Sequence, residues 1–293
     1  MRDDVTFALH VDCDPLWIYS REYGIDPGSA ELIYTQALPR LLDLFDRAGA
    51  KATLFVIGQE LQHAHARTLF QRAVGAGHRL ANHTQHHLVD FAAQDEASVR
   101  REIAECHEAL RAAFGCKPVG FRAPGYAHLP SVATVLAELG YQYDGSVLPG
   151  PASLAMSAYM RMRGQARDKS FGGWSNLLAS TRVKRDGVVA QVPIAVLPLA
   201  RLPVHTTFIY LFGIRYLDFA LRMLSRRPGH HVLLLHAIDA LDHPQPERFK
   251  NKVIPMRWTY QARIDTVSRI LNRVAGGVVL TEQYLAQGRR IAA

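Results

Sequence analysis

Cysteine is scarce in this 293-residue chain. Cys13, Cys106 and Cys116 are too few and too scattered for a disulfide framework or a thiolate metal knot, and a reducing compartment suits them best. No run of eighteen uncharged apolar residues occurs, so no membrane span is expected. The opening Met1-Arg2-Asp3-Asp4 passes into the apolar Val5 to Val11 without a basic region and cleavage site, which makes the cytoplasm the expected location. Fixed-period repeats and low-complexity linkers are also missing, and one domain over residues 1–293 is expected. Acidic residues are in shorter supply than basic ones, 26 against 34, for a net charge of +8. That excess suits an anionic partner, but a solvated basic surface is the simpler reading. The arginines between Arg215 and Arg227 and between Arg257 and Arg273 are not interleaved with exposed-looking aromatics, so no nucleic-acid partner is expected.

What is present is a 48% hydrophobic composition, ample for a full core, arranged as alternating strand and helix patterns. Strands are expected at Val5 to Val11, Ala52 to Ile57, Arg79 to Asn82, Val119 to Arg122, Tyr141 to Asp144, Val188 to Leu197, His231 to His236 and Val278 to Thr281. Helical patterns fall at Leu32 to Ala48, Ala64 to Ala76, Glu96 to Phe114, Ser131 to Leu139, Ile214 to Leu224, Tyr260 to Ala275 and the carboxyl terminus. Short connections such as Ala48-Gly49-Ala50 fit crossovers of a parallel sheet, so an α/β fold is expected, an open sheet or a barrel, with chemistry at the strand carboxyl ends. From Val147 to Arg185 the pattern dissolves into a long loop excursion of the kind that carries substrate contacts.

Two segments carry the chemistry. Asn82-His83-Thr84-Gln85-His86-His87 follows a strand, and His83 and His87 share a face if the segment turns into a helix. Imidazoles at that spacing chelate zinc or a similar divalent ion, although His86 competes with His87 for the role. Val11-Asp12-Cys13-Asp14-Pro15 ends the first strand with two carboxylates, one able to complete a two-His, one-carboxylate metal shell and the other to take a proton from water. The residues alone do not say which is which. Arg122, in Phe121-Arg122-Ala123-Pro124-Gly125-Tyr126, is placed to pair with a carboxylate, and the turn after it to aim a backbone N–H at an oxyanion. His236, ending the apolar strand Val232 to Leu235, suits a general acid; His230 and His231 read as loop or strand-start residues.

These segments, in this order, resemble the polysaccharide deacetylase family with the NodB homology domain, carbohydrate esterase family 4, over roughly residues 5 to 285. His83-Thr84-Gln85-His86-His87 is similar to its His-(Ser/Thr)-x-x-His metal motif, which favours His83 and His87 over His86. Phe121 to Tyr126 is similar to its arginine-proline-tyrosine motif, and Leu235-His236 to its Leu-His motif. The separation of Asp12 from Asp14 by Cys13 resembles the Asp-x-Asp subgroup, which implies Asp12 as base and Asp14 as metal ligand. The resemblance implies a distorted (β/α) barrel of about seven strands, in agreement with the alternation of strand and helix. It also implies one divalent ion, with zinc expected and cobalt and nickel also suited to the donors. The activity implied is removal of an N-acyl, chiefly N-acetyl, group from an amino sugar or glycan. In it Asp12 takes a proton from water, the Tyr126 amide meets the oxyanion and His236 protonates the departing amine. Gly172-Gly173-Trp174 keeps a tryptophan found in many members but lacks the aspartate before it that tunes the acid histidine.

Three other readings compete. The first is a deacylase or deformylase of a lipid-linked sugar at the inner membrane face, in peripheral contact through Phe208-Ile209-Tyr210-Leu211-Phe212-Gly213-Ile214 and the arginine-bearing helix after it. The second is an amidohydrolase of a small non-sugar amide. The third is a non-catalytic carbohydrate-binding protein, against which the intact set Asp12, Asp14, His83, His87 and His236 argues.

Overall fold

The computed structural model describes residues 4–24, 31–152, 154, 155, 158, 174–185 and 187–291. Within them, the first strand, β1 (Val5–Asp12), shows how the interior is divided. Side chains alternate across a strand. Accordingly Phe7, Leu9 and Val11 pack into the large core beneath the helices, while Ala8 packs with Phe55, Ala81, Tyr143 and Val232 on the inner face. Thr6, His10 and Asp12 share the parity of Ala8, so β1 brings a line of polar groups into the barrel.

Six further strands follow: β2 (Ala52–Val56), β3 (Arg79–Asn82), β4 (Gly120–Phe121), β5 (Tyr143–Asp144), β6 (Ala190–Gln191) and β7 (Gly229–His236). They pair in parallel in the order β6-β5-β4-β3-β2-β1-β7. Parallel strands need both faces covered, and the sheet meets this by curling into a half-barrel with helices outside. The segment after β6 lies along the open edge of β7: Ile194 bridges Val232, the Ala195 N–H donates to the Val232 carbonyl at 2.9 Å, and His205 bridges Leu234.

The helices are α1 (Leu16–Tyr23), α2 (Leu38–Arg47), α3 (Ala64–Gly75), α4 (Glu96–Phe114), α5 (Pro130–Glu138), α6 (Thr206–Phe212), α7 (Ile214–Leu224), α8 (Glu247–Lys252), α9 (Tyr260–Val274) and α10 (Thr281–Ile291). A π-helical turn, Ile33–Ala37, leads into α2, whose Pro39 sits in the first turn where no N–H is required. The Asp95 carboxylate caps α4 by accepting from the Ser98 N–H at 2.7 Å, and Gly115, at φ 63°, ends it. No helix among the described residues is long and apolar enough to cross a membrane.

The expected strand at Val278 to Thr281 does not form. β1 is flanked by β7 and, from Leu9 onward, by β2. Only its first residues keep a free edge, and Val278 fills it as a single bridge to Phe7 before Thr281 opens α10. Val119 to Arg122, Tyr141 to Asp144 and Val188 to Leu197 each shrink to a two-residue pair. Pro193 lacks the N–H that a longer β6 needs. At Gly120 the Tyr143 ring lies so close that a Cβ would stand 2.2 Å from its Cζ. The short helices α1, α6 and α8 were not legible as helices. Gly172 and Gly173 of the expected loop excursion lie outside the described residues, as does the Trp174 side chain.

Candidate metal-centred active site

β1 and β3 deliver the metal-ligand candidates to one rim. The segment after β3 does not become a helix, contrary to expectation. Thr84 and His87 adopt φ of 66° and 49° instead. Local side-chain bonds hold this loop: Asn82 Oδ1 accepts from the Thr84 N–H at 2.8 Å, and Thr84 Oγ1 from the His87 N–H at 3.1 Å. The loop brings the His83 and His87 rings to 4.9 Å between centres. Asp14 Oδ1 stands 3.6 Å from His83 Nε2 and 3.8 Å from His87 Nε2, and one candidate ligand atom from each residue lies within 4.8 Å of the others. Tetrahedral ligands at zinc distances lie roughly 3.4 Å apart, so a small contraction would close this set around an ion.

Two observations say that the cluster fits a divalent metal. The His83 Nδ1–H donates to the Arg122 carbonyl at 2.7 Å, which fixes the tautomer and leaves Nε2 its lone pair. Asp14 Oδ1 and His87 Nδ1 are buried without a partner, a cost that native interiors rarely leave unmet. Burial works against the charge on Asp14, yet the adjoining His83 and the nearby His87 and His236 hold its carboxyl below the usual range. Burial takes His87 down to about 3, opposed by Asp14. For His83 burial also opposes the charge, but Asp12, Asp14 and the Arg122 carbonyl raise its pKa on balance. His86 faces elsewhere, its Nδ1 at 2.7 Å from Glu102 Oε1.

Asp12 is held apart from this cluster. Arg122, fully buried after β4, donates from Nη1 to Asp12 Oδ1 at 2.6 Å and from Nε to the Gly145 carbonyl at 3.0 Å. Its guanidinium carbon lies 4.1 Å from the Phe55 ring centre. The geometry therefore separates the two carboxylates that the residues alone left undistinguished: Asp14 sits with the histidines and Asp12 with the arginine.

Beside β1, β7 places His236 in register with Asp12. The His236 N–H donates to Asp239 Oδ2 at 2.9 Å, and its Nδ1 is buried without a partner. No carboxylate among the described residues forms an ion pair with its ring. Tyr126 closes another side in a left-handed conformation, φ 60°. Its N–H makes a long 3.3 Å bond to the Ala123 carbonyl, a weak tie that a better acceptor would displace. One residue of this cleft was missed from sequence. His205 is buried, its Nδ1 without a partner and its ring centre 6.0 Å from that of His236. No motif announces it, because it arrives through the irregular segment that covers the edge of β7.

Comparison with known proteins accords with this arrangement. Residues 25–143 match the family model of polysaccharide deacetylase. That segment is similar to the polysaccharide deacetylase family. It contains His83, His87, Arg122 and Tyr126 but neither Asp12, Asp14 nor His236, which geometry alone brings to the same rim. A protein of Arthroderma benhamiae named a probable peptidoglycan-N-acetylglucosamine deacetylase is 35% identical over 104 residues, 35% of this chain and 24% of that protein. A chitin deacetylase of Pestalotiopsis sp is 31% identical over 102 residues, 34% of each. A chitooligosaccharide deacetylase of Bradyrhizobium sp. is 32% identical over 106 residues, 34% of this chain and 47% of that one. The matches thus span less than half the length of these relatives. A solved Mycobacterium smegmatis structure, named as a polysaccharide deacetylase, shares the fold at a TM-score of 0.64 and 19% identity, over 100% of this chain and 93% of that one. A Pseudomonas aeruginosa structure named likewise shares it at 0.61 and 15% identity, over 96% and 90%.

Proposed function

We propose that the chain is a metal-dependent hydrolase that removes an N-acyl group, N-acetyl above all, from an amino sugar of a glycan such as chitin or peptidoglycan. The observation that carries this reading is the division of the rim: Asp14, His83 and His87 converge on one point, while Asp12 stands apart on Arg122 with His236 in register beside it. A divalent ion held by the three ligands supplies Lewis acidity and a more acidic water. Zinc suits two imidazoles and a carboxylate, and cobalt or nickel suit them nearly as well. Asp12, oriented by Arg122, accepts the proton of the attacking water. The Tyr126 N–H exchanges its long bond to Ala123 for the oxyanion. His236 protonates the departing amine. The separation of Asp12 from Asp14 by one residue fits the Asp-x-Asp subgroup. Loss of an acetyl mass from N-acetylated chitin or peptidoglycan fragments, seen by mass spectrometry with metal-loaded protein, tests the activity. No loss from any acylated sugar, with turnover of a cyclic amide, would move the reading to a non-sugar amidohydrolase.

One observation favours a second substrate, a lipid-linked sugar at the cytoplasmic membrane face. Leu211, Phe212 and Phe219 are about half exposed beside Arg215 and Arg222 on the outer side of α6 and α7, an apolar and basic surface suited to anionic lipid. Phe208, which lines the cleft, has its ring 6.0 Å from that of Phe212, so the surface continues into the site. Tyr210 does not take part as the sequence suggested: it is buried, and its carbonyl accepts from Trp258 Nε1–H at 3.0 Å. Sedimentation with phosphatidylserine vesicles, lost in Phe212→Asp, is the expected result; sedimentation unchanged by that variant would remove the membrane contact.

A further inference from the structure

Beneath the rim a line of hydrogen bonds runs from Asp12 to the far end of the barrel. Arg122 Nη2 lies 2.8 Å from His10 Nδ1, and His10 Nε2 lies 3.0 Å from Thr281 Oγ1. The Thr281 oxygen is also 3.1 Å from His230 Nε2, and His230 Nδ1 is 2.9 Å from Thr6 Oγ1. His10, Arg122 and Thr281 are fully buried and His230 nearly so. None of these groups was singled out for function from sequence except Arg122.

The chemistry of the donors fixes the direction of the two bonds at His10. A guanidinium only donates, so His10 Nδ1 must carry the lone pair. The ring proton of His10 is then on Nε2 and is given to Thr281 Oγ1. Thr281, accepting from His10, keeps its own proton to offer to His230 Nε2, and in that arrangement His230 donates from Nδ1 to Thr6. Burial and the charge of Arg122 both keep His10 neutral, in keeping with this order. Removing the hydroxyl at Thr281 would leave His10 Nε2–H a buried donor without an acceptor, which is costly. A flip to the other tautomer relieves that cost only by turning a ring N–H against the Arg122 Nη2–H. The guanidinium then shifts, and Asp12 shifts with it.

We propose that His10 and Thr281 are positioning residues for Asp12, acting through Arg122 by locking one imidazole tautomer. The first residue of α10 thereby holds the catalytic base from the opposite end of the barrel. The role given to the line rests on Asp12 being the base of the proposed deacylase; the tautomers do not.

Two readouts test it on the full metal-loaded chain. Long-range 15N imidazole spectra are expected to show His10 as the Nε2–H tautomer and His230 as the Nδ1–H tautomer, with His10 losing its single form in Thr281→Val. Turnover of an N-acetylated chitin oligosaccharide is expected to fall roughly ten- to hundredfold in kcat for Thr281→Val, the scale of a small misplacement of a reacting group. KM and metal content stay unchanged, and Thr281→Ser restores the rate. Finding His10 as the Nδ1–H form or as imidazolium in the unaltered protein overturns the lock. A Thr281→Val rate within twofold of the parent, with Asp12→Asn inactive, overturns the positioning role alone. Full turnover in Asp12→Asn overturns the base assignment and the role with it, while the tautomer assignments stand or fall by the spectra.

Discussion

The rim and the interior beneath it use the same residue types in opposite ways. At the rim, Asp14 Oδ1 and the Nδ1 atoms of His87, His205 and His236 are buried without partners. In the interior, both ring nitrogens of His10 and of His230 are bonded. Unmet polar atoms mark where the fold waits for something from outside, and met ones mark support. Arg122 belongs to both regions, with its carbonyl on His83 and its guanidinium between Asp12 and His10.

The comparison breaks most completely at the metal. Chelation, or His83→Ala, is expected to abolish turnover, with metal analysis showing the loss of about one bound ion and a divalent ion restoring only the chelated parent. Next comes the link between the regions. Arg122→Met leaves Asp12 and His10 without their buried partner, and breaking such a pair costs about 3–5 kcal/mol. Urea unfolding is expected to show that loss.

The interior histidines give a smaller effect, through pH. Burial depresses the pKa of His10 and of His230, the latter to about 3. A depressed folded pKa means that the unfolded chain binds protons first. Stability is therefore fully present above the unfolded value near 6.5 and is lost as pH falls below it toward the folded values. His83 and His128 are shifted upward and oppose the trend in part. Metal-free protein is expected to unfold at lower urea at pH 5.5 than at pH 7.5; an equal or higher midpoint at pH 5.5 contradicts the neutral interior. The smallest effect is remote from both regions. Thr259 caps α9 by accepting from the Ala262 N–H at 3.2 Å, and Thr259→Ala is expected to lower stability by about 1 kcal/mol without changing metal content or rate.

Much of the rim was legible because strand ends punctuate a sequence. Asp12 closes β1, the His83 segment follows β3, Arg122 follows β4 and His236 closes β7. The division between Asp12 and Asp14 was not legible from the residues themselves, since it depends on where a bend after β1 points each carboxylate. Nor was the route by which His83 meets His87. A helix would set them four apart on one face, but two left-handed residues achieve the same meeting with side-chain caps. His10 and His230 share the even parity of Asp12 and His236 along their strands, a signal present in the alternation. Thr281 had none, because it reaches the barrel from the start of a helix where a strand was expected.

Asp12 and Asp14, separated by Cys13, are proposed to have different duties. Asp12→Asn and Asp14→Asn, purified side by side and assayed for bound metal and for acetate release from an N-acetylated chitin oligosaccharide, separate them. Asp12→Asn is expected to keep about one ion and to lose turnover by roughly 10²- to 10⁴-fold, the usual scale for a general base, whereas Asp14→Asn loses the ion as well. An Asp12→Asn protein that loses the ion, or an Asp14→Asn protein that keeps it, would contradict the account.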